Sequence, residues 1–266
     1  MSENLVYVFC FAEESPQIEK HEDLSGLKVI QSQGWYAVVK SVSTDDYSEE
    51  NLKKNFSDLA WVEAQVREHI RVIGLIMENS PVIPCKFGTL FSSVDALNKF
   101  LDDYSVSLQE SLAQVKGREE WSVKVFSYPE TVSDHIAQLS EKVQDLDVQI
   151  NDSSPGRSFL LKKKRKELVE QEVERIGQTH GQKCFDRLSA ISQLNTINKP
   201  LSKDLSGREG EMVLNAAFMV ENDKVAEFID IAKSLKEEYQ SEGFDLEYTG
   251  PWPPFNFITL NGSDAG

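Results

Sequence analysis

Residues 5–11 read Leu-Val-Tyr-Val-Phe-Cys-Phe, so apolar or aromatic side chains occupy every position of this stretch. Side chains of a β-strand point alternately to two faces, and a strand that is apolar on both faces is typical of the middle of a sheet. Residues 35–42 form a second run, rich in aromatic and β-branched side chains, which also favours a strand. The beginning of the chain therefore predicts a sheet in which the first strand is internal.

Helical spacing dominates much of the sequence that follows. Apolar residues recur every three or four positions along residues 59–77, which predicts an amphipathic helix. The same spacing continues along residues 94–115 and stops before Gly117, a residue type often found just past a helix end. The predicted order of elements is β-β-α-β-α followed by β-α-α-β-α-β, which indicates an α+β protein with two domains. We place the domain boundary after this second helix, giving domains of residues 1–117 and 118–266.

Composition narrows the function. Of the 266 residues, 28 are Lys or Arg and 44 are Asp or Glu, which gives a net charge of −16. A surface this negative repels a phosphate backbone, so we expect no nucleic-acid partner. No stretch approaches the roughly 20 consecutive apolar residues of a membrane span, and acidic Glu3 stands where a signal peptide carries basic residues. We therefore expect a cytoplasmic protein with no membrane partner.

Residues that usually carry chemistry are scattered along the chain. The three cysteines are far apart and set in apolar stretches, which predicts reduced, buried thiols instead of disulfides or a zinc site. The histidines lack HExxH spacing, and we interpret His69 and His180 as structural. The nearest approach to a nucleophile elbow, Gly156 with Ser158, fails because Leu160 occupies the position of the closing glycine. We predict no catalytic residue, metal or cofactor.

Residues 82–89, Val-Ile-Pro-Cys-Lys-Phe-Gly-Thr, specify an unusual backbone in the first domain. Pro84 fixes its φ angle and cannot donate a backbone hydrogen bond, whereas Gly88 permits a positive φ. A central strand does not tolerate such a proline, so we expect an edge strand or an irregular stretch. Two interpretations remain open: a docking edge beside the sheet, and a strand with a bulge.

Residues 162–166, Lys-Lys-Lys-Arg-Lys, are the only basic run in this acidic chain. The run could receive an acidic partner. Glutamates follow at once, so ion pairs four residues apart on a solvated helix face are the alternative explanation. Arg157, directly after Gly156, could pair with a carboxylate across the domain junction, or it could be a solvated loop arginine.

An apolar segment, Gly-Pro-Trp-Pro-Pro-Phe-Asn-Phe-Ile at residues 250–258, follows the last predicted strand. Its three prolines cannot join a strand ladder, so we expect an extended segment that packs through Trp252, Phe255 and Phe257. The segment either folds back on its own chain or anchors another protein. We predict that the tail, residues 250–266, packs back, because three bare aromatic rings would promote aggregation.

Five sequence segments together carry a family resemblance. They are PVIPCKFGT (81–89), GREEWSVKVF (117–126), PGRSFLLKKK (155–164), LNAAFMV (214–220) and YTGPWPPFNF (248–257). In this order, across nearly the whole chain, they resemble the GvpF/GvpL family of gas vesicle accessory proteins. Family members often carry Leu-Arg in place of Cys85-Lys86 and Tyr in place of Phe255. These departures keep a charge and an aromatic ring.

The resemblance implies a two-domain α+β protein whose second domain is ferredoxin-like. It also implies a role in making gas vesicles, the gas-filled protein shells of buoyant cells, and no enzymatic reaction. Members of the family associate with the small hydrophobic shell protein, GvpA, and with other accessory proteins, in the cytoplasm and at the gas vesicle. Such a role is physically coherent, because an apolar shell subunit aggregates unless it is covered before assembly, and an acidic binder would keep the complex dispersed.

The residues and the resemblance together give a hypothesis for the sites. We expect the first domain to hold the shell protein at or beside an exposed sheet edge, and the tail to fix the two domains relative to each other. The predicted protein-binding residues are Pro84, Lys86, Phe87, Gly88 and Thr89. The predicted structural and interdomain residues are Trp121, Arg157, Trp252, Pro253, Pro254 and Phe255. Two other functions remain open: a regulatory binding module, and a nucleotide-using enzyme on a ferredoxin-like scaffold.

Overall fold

Residues 4–20 and 24–258 are described by the computed structural model, and they belong to two units. The first unit comprises Met1–Arg118 and Pro251–Gly266, and the second comprises Glu119–Gly250. Each unit contains helices and one β-sheet. The prediction of a mixed fold of helices and sheets is therefore confirmed.

Three parts of the sequence predictions lie outside the described residues, namely Glu3, His21 and residues 259–266 of the tail. Within the described part, none of the helices combines the length and the apolar character needed to cross a membrane.

The first unit is built on a five-stranded sheet. Its strands and helices, in chain order, are β1 (Asn4–Ala12), β2 (Lys28–Ser32), β3 (Trp35–Ser43), α1 (Thr44–Tyr47), α2 (Glu49–Asn55), α3 (Leu59–Met77), β4 (Val82–Pro84), β5 (Leu90–Phe91), α4 (Val94–Asp103) and α5 (Ser105–Val115). The strand order is β2-β3-β1-β4, and β5 also pairs with β1. All these pairings are antiparallel, and β1 is internal, as its sequence predicts.

The core of the first unit forms around β1. Residues 7–12 are all buried, and Tyr7 and Phe9 belong to one apolar cluster with Val72 and Ile73 of α3. Burying one large apolar side chain contributes roughly 1.5–3 kcal/mol. The apolar sequence of β1 thus fixes both its central position in the sheet and the helix that covers it.

The helix α3 follows its sequence pattern over its whole predicted length, Leu59–Met77. It begins after Asp58, whose carboxylate accepts hydrogen bonds from the backbone N–H groups of Ala60 and Trp61. This is the usual way in which an acidic side chain satisfies free donors at a helix start.

The prediction of one helix over residues 94–115 is wrong, because the chain forms α4 and α5 with a break at Tyr104. The apolar spacing passes through this break because both helices bury one face. Leu101 before the break and Leu108 after it are each fully buried. Periodicity records which face is buried and does not reveal a change of helix axis.

The second unit is built on a four-stranded sheet. Its elements, in chain order, are β6 (Arg118–Ser127), α6 (Pro129–Asp134), α7 (Ile136–Leu139), α8 (Glu141–Asn151), α9 (Pro155–Ser189), β7 (Leu194–Ile197), α10 (Lys203–Ser206), β8 (Glu211–Glu221), α11 (Val225–Gln240) and β9 (Phe244–Trp252). The strand order is β7-β8-β6-β9. Its apolar core is formed by buried residues of five helices, α6, α7, α8, α9 and α11, and of three strands, β6, β8 and β9.

Helix α9 runs unbroken for 35 residues, although it contains two glycines. Gly177 and Gly181, which weaken its sequence pattern, face β8. A Cβ atom on Gly177 would lie 3.2 Å from Cγ1 of Val213, and one on Gly181 would lie 3.0 Å from the carbonyl oxygen of Val213. These glycines are therefore required for close approach of the helix to the strand, and they do not interrupt it.

Helices α8 and α9 form an antiparallel hairpin joined by a short turn at residues 152–154. Arg165 pairs with Asp147 through two hydrogen bonds, and Glu172 accepts hydrogen bonds from Ser140 and Lys142. Residues later in α9 thus pair with residues earlier in α8, as they do in two antiparallel helices.

Candidate binding surface on the first unit

Residues 82–91 form a discontinuous edge strand against β1. Pro84 is paired with Cys10 in the register of β4, and the N–H of Cys85 donates to the carbonyl of Phe9 at 2.9 Å. Pairing resumes where the N–H of Val8 donates to the carbonyl of Thr89 at 3.0 Å. Between these points the segment leaves the ladder. The edge strand and the irregular stretch that the sequence predicts are thus parts of one feature.

A tight loop fills the interruption. The backbone N–H and the hydroxyl of Thr89 both donate to the carbonyl of Lys86, at 3.1 Å and 2.7 Å. Gly88 has a φ of +84°, a left-handed conformation that is costly for residues with a side chain. Gly88 and Thr89 therefore set the shape of the loop and present Lys86 and Phe87 at its tip.

A buried hydrogen-bond chain holds this loop on the sheet. The hydroxyl of Tyr7 lies 2.8 Å from Nδ1 of His69, and Nε2 of His69 lies 2.9 Å from the carbonyl oxygen of Cys85. The N–H of Gly88 donates to the Tyr7 oxygen at 3.4 Å. A carbonyl oxygen can only accept, so His69 carries its proton on Nε2 and accepts from Tyr7 at Nδ1.

Burial keeps the side chains of Tyr7 and His69 neutral. Desolvation lowers the pKa of His69 below its ordinary value, because the charged imidazolium is disfavoured away from water. Desolvation also raises the pKa of Tyr7. Both residues are almost fully buried, so the pair serves to position the loop.

The predicted binding residues divide into shaping and accessible positions. Pro84 is buried together with the rest of β4, and it shapes the strand without presenting a surface. Lys86 is exposed, and Phe87, Gly88 and Thr89 are half-buried. The accessible part of the segment is therefore the loop tip.

An aromatic cluster surrounds the loop. It consists of rings from β1, α1, the end of α2, α3, the loop and the tail: Tyr7, Phe9, Tyr47, Phe56, Trp61, His69, Phe87 and Phe255. Adjacent rings have centroids 4.9–6.4 Å apart, within the range of favourable aromatic pairs. The cluster joins the buried core beneath the loop to the surface around it.

The outer part of this cluster is an exposed apolar surface. We call it the apolar patch, and it comprises Phe56, Trp61, Phe87 and Phe255, together with Leu59, which lies between Phe56 and Trp61 in the sequence at the start of α3. Leu59 is 82% exposed, Phe56 47% and Phe255 38%. The rings of Trp61 and Phe87 both contact the ring of Phe56, at 6.3 Å and 6.2 Å. Scattered exposed apolar residues are ordinary, but a contiguous group of large ones marks a binding surface.

The tail contributes to this surface from the far end of the sequence. Pro253 and Pro254 are buried, and the ring of Phe255 stacks on His69 with centroids 6.3 Å apart. Trp252 remains 39% exposed. Burial in the tail is thus carried by its prolines more than by its tryptophan.

The remaining predicted residues lie in the second unit. Trp121 is buried in β6 beside Phe228 and Tyr248, and a Cβ on Gly250 would lie 2.8 Å from its ring. Arg157 is exposed in the first turn of α9, and it makes no ion pair with any described residue. Trp121 and Arg157 therefore belong to a different unit from the apolar patch.

The sequence predicted Phe87 as a binding residue and Phe255 as a structural and interdomain residue, and it did not single out Phe56, Leu59 or Trp61 for either role. These three residues surround Asp58, where α2 ends and α3 begins. Helical spacing does not apply across such a junction. Two aromatic residues flanking a helix-start signal were the available clue.

The described part of the chain holds no group of three or more side chains suited to a metal ion. The thiols of Cys10 and Cys184 are buried, and desolvation raises the pKa of each to about 12. Both thiols therefore remain protonated near neutral pH, as the prediction of reduced, buried cysteines requires.

Comparisons with known proteins agree with one another. A sequence model described as "Gas vesicle synthesis protein GvpL/GvpF" matches residues 5–259. The gas vesicle protein L of Streptomyces sp. (strain CB03234) is 24% identical over 252 residues, covering 95% of this chain and 86% of that protein.

Two solved structures share the fold. The crystal structure of the gas vesicle protein GvpF from Anabaena sp. PCC7120 covers 97% of this chain and 99% of its own, with a TM-score of 0.70 and 17% identity. That of GvpF from Microcystis aeruginosa covers 97% and 100%, with a TM-score of 0.66 and 18% identity.

Proposed function

The chain belongs to the GvpL/GvpF family of gas vesicle synthesis proteins, and from this premise we propose that it is an accessory protein that binds the shell protein GvpA during gas vesicle assembly. It works in the cytoplasm and at the growing vesicle, where it also contacts other accessory proteins. The chain catalyses no reaction in this role. Its task is to cover apolar surface on the shell subunit until that subunit is added.

The apolar patch is the observation that supports this proposal. An apolar partner needs a complementary apolar surface, and large aromatic side chains supply most of the binding energy at protein interfaces. Phe56, Phe87 and Phe255 present such rings on the first unit. The hydrogen bonds of Tyr7 and His69 hold the loop that carries Phe87, so the surface is formed before the partner arrives.

Charge supports the same role. The net charge of −16 makes complexes of this protein repel one another, which keeps an aggregation-prone subunit dispersed. Lys86 is exposed at the loop tip and supplies a cation at the edge of the apolar patch. We assign contact with the shell protein to Lys86 and Phe87, with Gly88, Thr89 and Pro84 shaping the loop.

Co-expression with tagged GvpA tests this assignment. We expect Phe56→Ser combined with Phe87→Ser in the full chain to lower recovery with GvpA about tenfold, as loss of central aromatic contacts does at other interfaces. The matched control is Val106→Ser with Leu205→Ser, since both residues are exposed apolar residues elsewhere. Equal recovery of both double variants would exclude the apolar patch as the binding surface.

We further propose that the second unit is a ferredoxin-like domain and that the two units are the two domains of the protein, with the tail belonging to the first unit and not, as predicted, to the second. The main elements β6, α9, β7, β8, α11 and β9 follow the order β-α-β-β-α-β, which is that of ferredoxin-like folds.

Immunoblotting of washed, intact gas vesicles distinguishes two forms of the proposed accessory role. Retention in the shell indicates a minor structural component, and loss on washing indicates an assembly factor.

A further inference from the structure

The first turns of α9 present a second exposed surface, in the second unit. Residues 155–166 contain six cationic side chains and no acidic one, although the whole chain has a net charge of −16. Within the same stretch Phe159 is 74% exposed and Leu160 is 67% exposed. Cationic and large apolar side chains therefore share one helix surface.

The lysines of this surface are not paired. Lys162, Lys163, Lys164 and Lys166 are exposed, and none of them forms an ion pair with a described residue. The pairs four residues apart that the following glutamates suggested are not formed. Glu172 is instead occupied by Lys142 and Arg175, and Arg165 pairs with Asp147. The four ammonium groups thus stay available.

Helical geometry places the two kinds of side chain together. Residues three and four apart are neighbours on a helix, so Phe159 adjoins Lys162 and Lys163, and Leu160 adjoins Lys163 and Lys164. We call these side chains, with Lys166, the hairpin face. The pairing of Arg165 with Asp147 holds this part of α9 on α8, so the hairpin face is presented by a fixed helix.

We propose that the hairpin face binds an acidic amphipathic helix of a partner protein. The lysines complement the acidic side chains of the partner helix. Phe159 and Leu160 require that this helix also carry apolar side chains one turn away from its acidic ones. Nucleic acid and anionic membranes are larger polyanions. The rest of the chain is strongly acidic and would repel their additional negative charge. A single acidic helix covers the hairpin face alone.

The test uses the full chain and a labelled synthetic helix of about 20 residues, built from Glu and Leu in helical period, with binding followed by fluorescence anisotropy. We expect Lys163→Glu with Lys164→Glu to weaken binding about tenfold, and Phe159→Ser with Leu160→Ser to weaken it about fivefold. The matched control, Lys54→Glu with Lys203→Glu, reverses two exposed lysines elsewhere and should change binding less than about twofold.

Three results would overturn the proposal. The first is an equal loss in the control variant, which would assign binding to net charge alone. The second is unchanged binding of the Phe159→Ser, Leu160→Ser variant. The third is tighter binding to single-stranded DNA of similar length or to phosphatidylglycerol vesicles than to the acidic helix. All substituted residues are exposed, so melting temperatures within a few degrees of one another verify the fold.

Discussion

The carboxylate of Glu172 in α9 accepts a hydrogen bond of 2.9 Å from the hydroxyl of Ser140, the residue that caps the start of α8. The same carboxylate also accepts from Lys142 and Arg175, and its side chain is only 4% exposed. One buried charge thus joins the beginning of α8 to the middle of α9.

Replacing this charge should destabilise the second unit. Glu172→Gln keeps the shape of the side chain but leaves Lys142 and Arg175 without a counterion. We expect a loss of about 2 kcal/mol in the free energy of unfolding, less than for a fully buried pair because both cations are partly exposed. Urea denaturation measures it. Glu170→Gln, an exposed neighbour, should change stability by under about 0.5 kcal/mol.

The contribution of Glu172 should also depend on pH. Hydrogen bonds from Arg175 and then Lys142 lower the pKa of Glu172 from 4.5 to about 2. A carboxyl group with a lowered pKa in the folded state stabilises the protein above its unfolded pKa, and this contribution is lost as the pH falls. The stability difference between the natural chain and Glu172→Gln should be constant above about pH 5 and shrink toward pH 2. A difference that does not change with pH would refute this account.

The hydrogen-bond chain beneath the loop predicts a cost for Tyr7→Phe. The substitution leaves Nδ1 of His69 and the N–H of Gly88 without their partner, and we expect a loss of about 1–2 kcal/mol in the free energy of unfolding. Tyr36→Phe is the control, because its hydroxyl makes no hydrogen bond within the described part of the chain. Equal stability of the two variants would show that the hydrogen bonds of Tyr7 do not hold the loop.

Two helical glycines should respond to alanine in opposite directions. At Gly181 a Cβ would lie 3.0 Å from the backbone oxygen of Val213, so Gly181→Ala should destabilise by about 1–3 kcal/mol despite the better helix propensity. At Gly74 in α3 the space is open, and Gly74→Ala should stabilise by about 0.5–1 kcal/mol. Thermal unfolding compares the two, and a Gly181→Ala variant that is as stable as or more stable than the natural chain would contradict the close approach of α9 to β8.

Trp121 and Trp252, the two tryptophans within the five segments that carry the family resemblance, should differ in a similar way. Trp121 is buried between Phe228 and Tyr248, so Trp121→Ala should cost about 3–5 kcal/mol. Trp252 is 39% exposed, and Trp252→Ala should cost about 1–2 kcal/mol, in proportion to the smaller area removed from contact. Equal losses would mean that Trp252 is more buried in solution.

Strongly apolar and strongly periodic segments were predictable from the sequence. The internal position of β1 follows from its uninterrupted apolar run. The limits of α3 follow from its apolar residues three or four positions apart and from Asn79 and Pro81, which come after it. The edge strands β2 and β7 were not predicted. β7 carries four residues of which three are exposed, so burial left no alternating pattern in its sequence.

The candidate site was only partly predictable for a different reason. Pro84 and Gly88 predict an irregular backbone, because the conformational preference of each residue type is known from the sequence alone. The contact between Phe56 and Phe87 joins residues from two distant segments, and nothing local in either segment specifies the other. Tertiary proximity of this kind requires the fold.

The division of the chain has a consequence for its synthesis. Phe255, which stacks on His69 of the first unit, follows the entire second unit, Glu119–Gly250. Phe255 is therefore synthesised after every residue of the second unit, whereas His69 is synthesised before all of them. The stacked pair of Phe255 and His69 thus forms only after the whole of the second unit has been translated.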